Sequence, residues 1–122
     1  MDRQDFERAV ADAIGELPIS IRRQIANVAI VVEELPDEAT MEMAGVDNPY
    51  ELLGFYNGIP LTARTHDYGL VLPDKITLFR QSIQRTCRGN EEIRAAIRRT
   101  LRHELAHYFG IDDERLEEIG AY

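Results

Sequence analysis

From Asn90 to Phe109 apolar residues recur at helical spacing, and a single carboxylate falls among them. Take His103 as zero and turn ~100° per residue. Ala96 then falls at ~20°, Thr100 at ~60°, Ile93 at ~80°, Ile97 at ~120°, Tyr108 at ~140°, Leu101 at ~160° and Leu105 at ~200°. The helix so defined buries an arc from about 0° to 200° and turns Arg98, Arg99 and Arg102 toward solvent at about 220° to 320°. Asn90 is suited to the N-cap, Glu91 and Glu92 to the positive first turn, and Gly110 to a left-handed stop. Three polar residues break the pattern. Glu104 falls at ~100°, the middle of the dry arc, with His107 at ~40° and His103 at its edge. An unpartnered carboxylate there would cost several kcal/mol, so this face is predicted to border a site rather than plain core.

The spacing indicates what kind of site. His103 and His107 stand four residues apart, so their rings project the same way about 6 Å apart along the axis. Two imidazoles so placed can meet at one zinc ion, while Glu104 stands beside the open position as a general base for water. A catalytic ion needs a third protein ligand. Gly110 tolerates a sharp turn, after which Asp113 can return to the same ion. Asp112, Glu117 and water compete for that position.

The rest of the chain is arranged around this helix. Phe6, Ala9, Val10, Ala13, Ile14 and Leu17 predict an N-terminal helix, interrupted at Gly15 and Pro18, and Ile19, Ile21 and Ile25 a short second one. The run Val28–Val32 predicts a buried strand, and Pro36-Asp37 opens a short helix through Met43. Asp47-Asn48-Pro49 is a turn. Leu52–Tyr56 predicts a strand, with Asn57-Gly58 as a hairpin turn, Ile59–Thr62 as its return and 63–74 as a loop. Lys75–Arg80 is a further strand, residues 81–89 are ambiguous, and Asp113–Ile119 predicts a closing acidic helix. The expected fold class is α+β, one domain over residues 1–122. A small, mostly antiparallel sheet packs on the site helix, with N-terminal and short C-terminal helices.

His103-Glu104-x-x-His107-x-x-Gly110-x-x-Asp113, followed by Gly120, resembles the motif of the zincin metallopeptidases in a metzincin-like variant with aspartate as third ligand. In a chain of this composition the short H-E-x-x-H arises by chance at about 0.8%. Requiring Gly110 and Asp113 lowers this to on the order of 4 in 100,000, so the extended motif is the specific one. With Leu53–Thr62 and Leu72–Arg80, the pattern resembles a bacterial family of minimal zincin-like proteins. The resemblance implies a compact zincin core, one Zn2+ on His103, His107 and Asp113, Glu104 as general base, and hydrolysis of a peptide or protein substrate. It also implies substrate pairing to an exposed sheet edge, for which residues 75–80 are the candidate. The chain departs from metzincins in having no methionine among residues 114–122. The alternative expectation is a non-catalytic, zinc-stabilised binding module on the same scaffold. A weaker third is a metal-free acidic interaction domain.

Charge narrows the partners. The net charge is −8, with 12 acids against 4 bases in residues 1–60 and 10 of each in 61–122. No nucleic-acid partner is expected from this balance, and no stacking platform of aromatics accompanies the arginines of 85–102. No apolar run approaches the ~20 residues of a membrane span. The polar start and lone Cys87 lead us to expect a reducing cytoplasmic location. His66 and Arg64 are weaker site candidates, as are Tyr50, Tyr56 and Tyr68 as oxyanion donors. For each, ordinary packing or solvation is the favoured expectation.

Overall fold

The computed structural model describes residues 1–58 and 74–111. Along them run α1 (Arg3–Gly15), α2 (Ile19–Gln24), β1 (Ala29–Glu33), α3 (Glu38–Ala44), a 3-10 turn (Pro49–Glu51), β2 (Gly54–Asn57), β3 (Lys75–Phe79), α4 (Arg80–Arg85) and α5 (Asn90–Tyr108). The α+β class is as expected. The hairpin return at 59–62, the loop from 63 and the helix of 113–119 lie outside the described residues.

The starts of α1 and α3 follow directly from side-chain chemistry. Asp2 caps α1 by accepting from the Asp5 amide at 2.8 Å. Asp37 caps α3 by accepting from the Thr40 amide at the same distance, which holds its carboxyl below the usual range. At α5 the cap is Gly89 rather than Asn90, which becomes the first helical residue. Gly89 has no side chain to offer. Glu92 instead reaches back to accept from the Arg88 amide at 3.3 Å, half of a capping box displaced by one residue.

The sheet has the order β1-β3-β2, with β1 parallel and β2 antiparallel to β3. It is thus mixed among the described residues rather than mostly antiparallel. Ile30 faces Ile76 and Val32 faces Leu78 on one side, while Gly54 pairs with Leu78 and Tyr56 with Ile76 on the other. Two expectations change with this topology. Among the described residues β1 has one neighbour, β3, and is buried only at Val32 within its span. Residues 75–79 form the central strand, hydrogen-bonded on both flanks and buried from Ile76 to Phe79. They cannot also pair with a substrate, so 75–80 is not the exposed edge.

α5 packs against α1, β2, β3 and α4. Its buried residues are Ile93, Ala96, Ile97, Thr100, Leu101, Glu104, Leu105 and Tyr108, the arc the periodicity predicts. Phe6, Ala9, Val10 and Ala13 of α1 join the same core with Ile76, Leu78 and Ile83. Arg98 bridges to Glu16 at 3.0 Å and ties the outer side of α5 to the end of α1. Ser82, fully buried on α4, donates to the Pro49 carbonyl at 2.9 Å and anchors the turn that leads into β2. No helix among the described residues is long and apolar enough to cross a membrane.

A second tie crosses the fold at the end of β1. Arg80 Nε donates to both Glu34 oxygens at 3.1 and 3.0 Å, and Gln81 Nε2 adds a bond at 3.3 Å. The Arg80 bonds, helped by Gln81 and the nearby charge of Arg3, bring the Glu34 carboxyl down to about 2 against the opposing effect of burial. The unfolded chain has an ordinary carboxyl near 4.5. The stabilisation is therefore complete above that value and is lost as pH falls toward 2. Glu34 is 35% exposed, so the pair contributes on the order of 1 kcal/mol. Urea unfolding of Glu34→Gln should show a deficit of about 1 kcal/mol at pH 7 that vanishes near pH 2. An equal deficit at both pH values would contradict this assignment.

Candidate metal centre

The last two turns of α5 bring the motif residues together. His103 Nε2 stands 4.0 Å from Glu104 Oε2, and His107 Nδ1 stands 3.3 Å from Glu104 Oε1. The two imidazole rings meet edge to face, with centroids 4.6 Å apart. One ligand atom from each of the three residues falls within 4.8 Å of the others. Glu104 is 6% exposed, whereas His103 and His107 are half-buried at a cavity wall. The cluster thus sets a protected carboxylate beside two partly exposed imidazoles.

α5 ends just past the second histidine. Gly110 takes φ +83°, its amide donates to His107 O at 2.9 Å, and the Ile111 amide donates to Ala106 O at 2.8 Å. These two bonds form a Schellman motif, as expected of a glycine stop. The bend directs the chain away from the helix axis immediately before Asp112 and Asp113. Both lie outside the described residues, as do Glu117, His66, Arg64 and Tyr68. His107 also occupies the negative last turn of the helix, where the backbone dipoles favour a cation.

The donor set fits zinc. Imidazole nitrogens and carboxylate oxygens are its ordinary ligands, and two histidines at i and i+4 present them from one face. A cation here also answers the electrostatic problem of the site, which is a carboxylate almost removed from water between two polar rings.

Above the cluster opens a cavity of about 640 Å³, lined by residues of β2, the segment 51–53, Ala44, Val46 and the α5 residues Arg99, Thr100, His103, Glu104 and His107. This is within the usual range for ligand sites. β2 pairs with β3 on one flank, and residues 52–56 line the cavity. It, rather than residues 75–80, is the strand beside the cluster. Tyr56 lines the cavity too, but its ring packs edge to face on Tyr108 at 5.9 Å and its hydroxyl lies beside Gly58. Tyr50 lies under Arg85, whose guanidinium carbon is 4.2 Å from the ring centre. Cys87 donates to Ile83 O at 3.3 Å and has no part in the cluster.

A family model described as zincin-like metallopeptidase matches residues 25–121. The chain belongs to that family. Comparison with curated proteins returned no match. The matched span contains β1 through α5 and the whole extended motif, and leaves out α1.

Arg99, at ~320° on the wheel, is exposed as that position predicts, and it also borders the open cavity of this zincin-like site. The signal for that second role is its position one turn before His103, which puts the two side chains on adjoining ground. Gly54 and Phe55 are further wall residues for which the strand pattern offered no cue.

If the cluster holds zinc, the folded state gains RT ln(1 + [Zn]/Kd), about 2.7 kcal/mol at a hundredfold excess over Kd. Zinc should then raise Tm on the order of 10 °C, and a chelator should reverse it. His103→Ala and His107→Ala should each abolish the rise. An identical melt with and without zinc would contradict the metal centre.

Proposed function

We propose that the protein is a zinc-dependent peptidase. His103, His107 and Asp113 hold one zinc ion, and Glu104 serves as general base. The observation that carries this is the placement of Glu104, 6% exposed and touching both imidazoles at the floor of an open cavity. Zinc, when bound, supplies Lewis acidity to a scissile carbonyl and to water.

The remaining steps fall to the chain's own groups. Glu104 accepts a proton from the attacking water as the new carbon–oxygen bond forms. It then delivers that proton to the departing amine nitrogen as the carbon–nitrogen bond breaks. The role needs a carboxylate that points into the cavity and is shielded elsewhere, as its burial in the α5 face provides. The extended substrate backbone lies along the cavity wall formed by residues 52–56. Ala44, Val46, Leu52 and Phe55 offer apolar wall, and Arg99 and Glu51 offer charge at its margin.

The substrate is therefore a peptide or an extended protein segment, with no nucleic acid involved. Glu104→Gln is the deciding variant, because it keeps size and polarity but removes the base. It should bind zinc as the parent does and lose at least about a hundredfold in kcat on a broad peptide library. Full activity in Glu104→Gln would refute the general-base role. Zinc bound one per chain with no cleavage by the parent protein would favour the zinc-stabilised binding module instead.

A further inference from the structure

The contact between β2 and α5 is unusually close at one residue. A β-carbon at Gly54 would stand 2.8 Å from Thr100 Cγ2, 3.2 Å from Glu104 Cγ and 3.2 Å from the Thr77 carbonyl oxygen. The first distance is well inside van der Waals contact. Gly54 does not have a positive φ among the described glycines, and it sits in regular pairing with Leu78. Space, rather than backbone freedom, is what calls for glycine here.

The neighbours have little room to retreat. Thr100 is 5% exposed and β-branched, and in a helix it keeps to two side-chain rotamers. Thr77 O belongs to the central strand, locked between β1 and β2. The new β-carbon is therefore accommodated only if β2 lifts off α5, away from Thr100, and the flexible side chain of Glu104 gives as well. The Glu104 Cγ is two bonds from the oxygens that lie 3.3 and 4.0 Å from the imidazoles.

We propose that Gly54 is a positioning residue for Glu104. The missing side chain lets β2 lie directly on α5, and that contact sets where the Glu104 carboxylate stands relative to His103 and His107. It also keeps the strand proposed to carry substrate at contact distance from the proposed base. The packing statement stands alone. Its catalytic consequence rests on the peptidase reading.

The test compares Gly54→Ala, Thr100→Ser and the double variant in the full chain. Serine removes the Cγ2 methyl that the new β-carbon would strike. Measurements are Tm without metal, zinc affinity, kcat and KM on the peptide library, and a crystal structure of Gly54→Ala. Gly54→Ala should lower Tm by several degrees and kcat by about tenfold to a hundredfold, with KM and zinc affinity little changed. Thr100→Ser alone should lower the parent's Tm slightly, yet raise Tm and kcat in the Gly54→Ala background. That reversal of sign is the mark of a relieved clash. If Gly54→Ala does not fold, the double variant must.

A parent-like Tm with Glu104 unmoved in Gly54→Ala would overturn the proposal, as would a double variant no better than the single. If the parent cleaves nothing, the peptidase reading fails. The melting temperatures and the displacement of Glu104 then still decide the positioning role.

Discussion

A carboxylate held out of water between two imidazoles is the interaction on which the site depends. Glu104 occupies the middle of the α5 face that packs on β2 and the core, a position where aliphatic side chains would be cheaper. Its oxygens reach His107 at 3.3 Å and His103 at 4.0 Å, and all three donors open toward one cavity. A divalent cation held by the two imidazoles would stand close enough to the Glu104 carboxylate to offset much of the cost of burying it.

The scaffold holds that cluster from behind. β3, central and bonded on both flanks, backs the site. β2 hangs on it and closes on α5 through the side-chain-free position at Gly54. Buried Ser82 fixes the turn that delivers the chain into β2, and Arg80 with Glu34 fastens the far end of β1. α1 supplies the other support for α5 through Phe6, Val10 and Ala13, although it lies outside the span shared with the family.

Much of this could be read from spacing. The α5 arc, the caps at Asp37 and Gly110 and the inward Glu104 all follow from the 3.6-residue period and from local hydrogen bonding. What spacing could not supply was strand order. Val28–Val32 and Lys75–Phe79 are both short β-branched or apolar runs. Nothing local distinguishes an edge from a centre, so residues 75–80 looked available when β3 was already paired twice. Gly54 was equally silent, because its reason lies across the fold in Thr100 and Glu104. The cap of α5 shifted by one residue because Glu92 could serve Arg88 as readily as Asn90 could have served the helix.

X-ray absorption at the zinc edge, joined to a zinc-loaded crystal structure, would examine the metal centre itself. Expected are nitrogens of His103 and His107 and an Asp113 oxygen at about 2.0–2.2 Å, with Glu104 outside direct contact with the ion. A Glu104 oxygen in place of Asp113 within that distance, or no ion between the two histidines, would contradict the proposed centre.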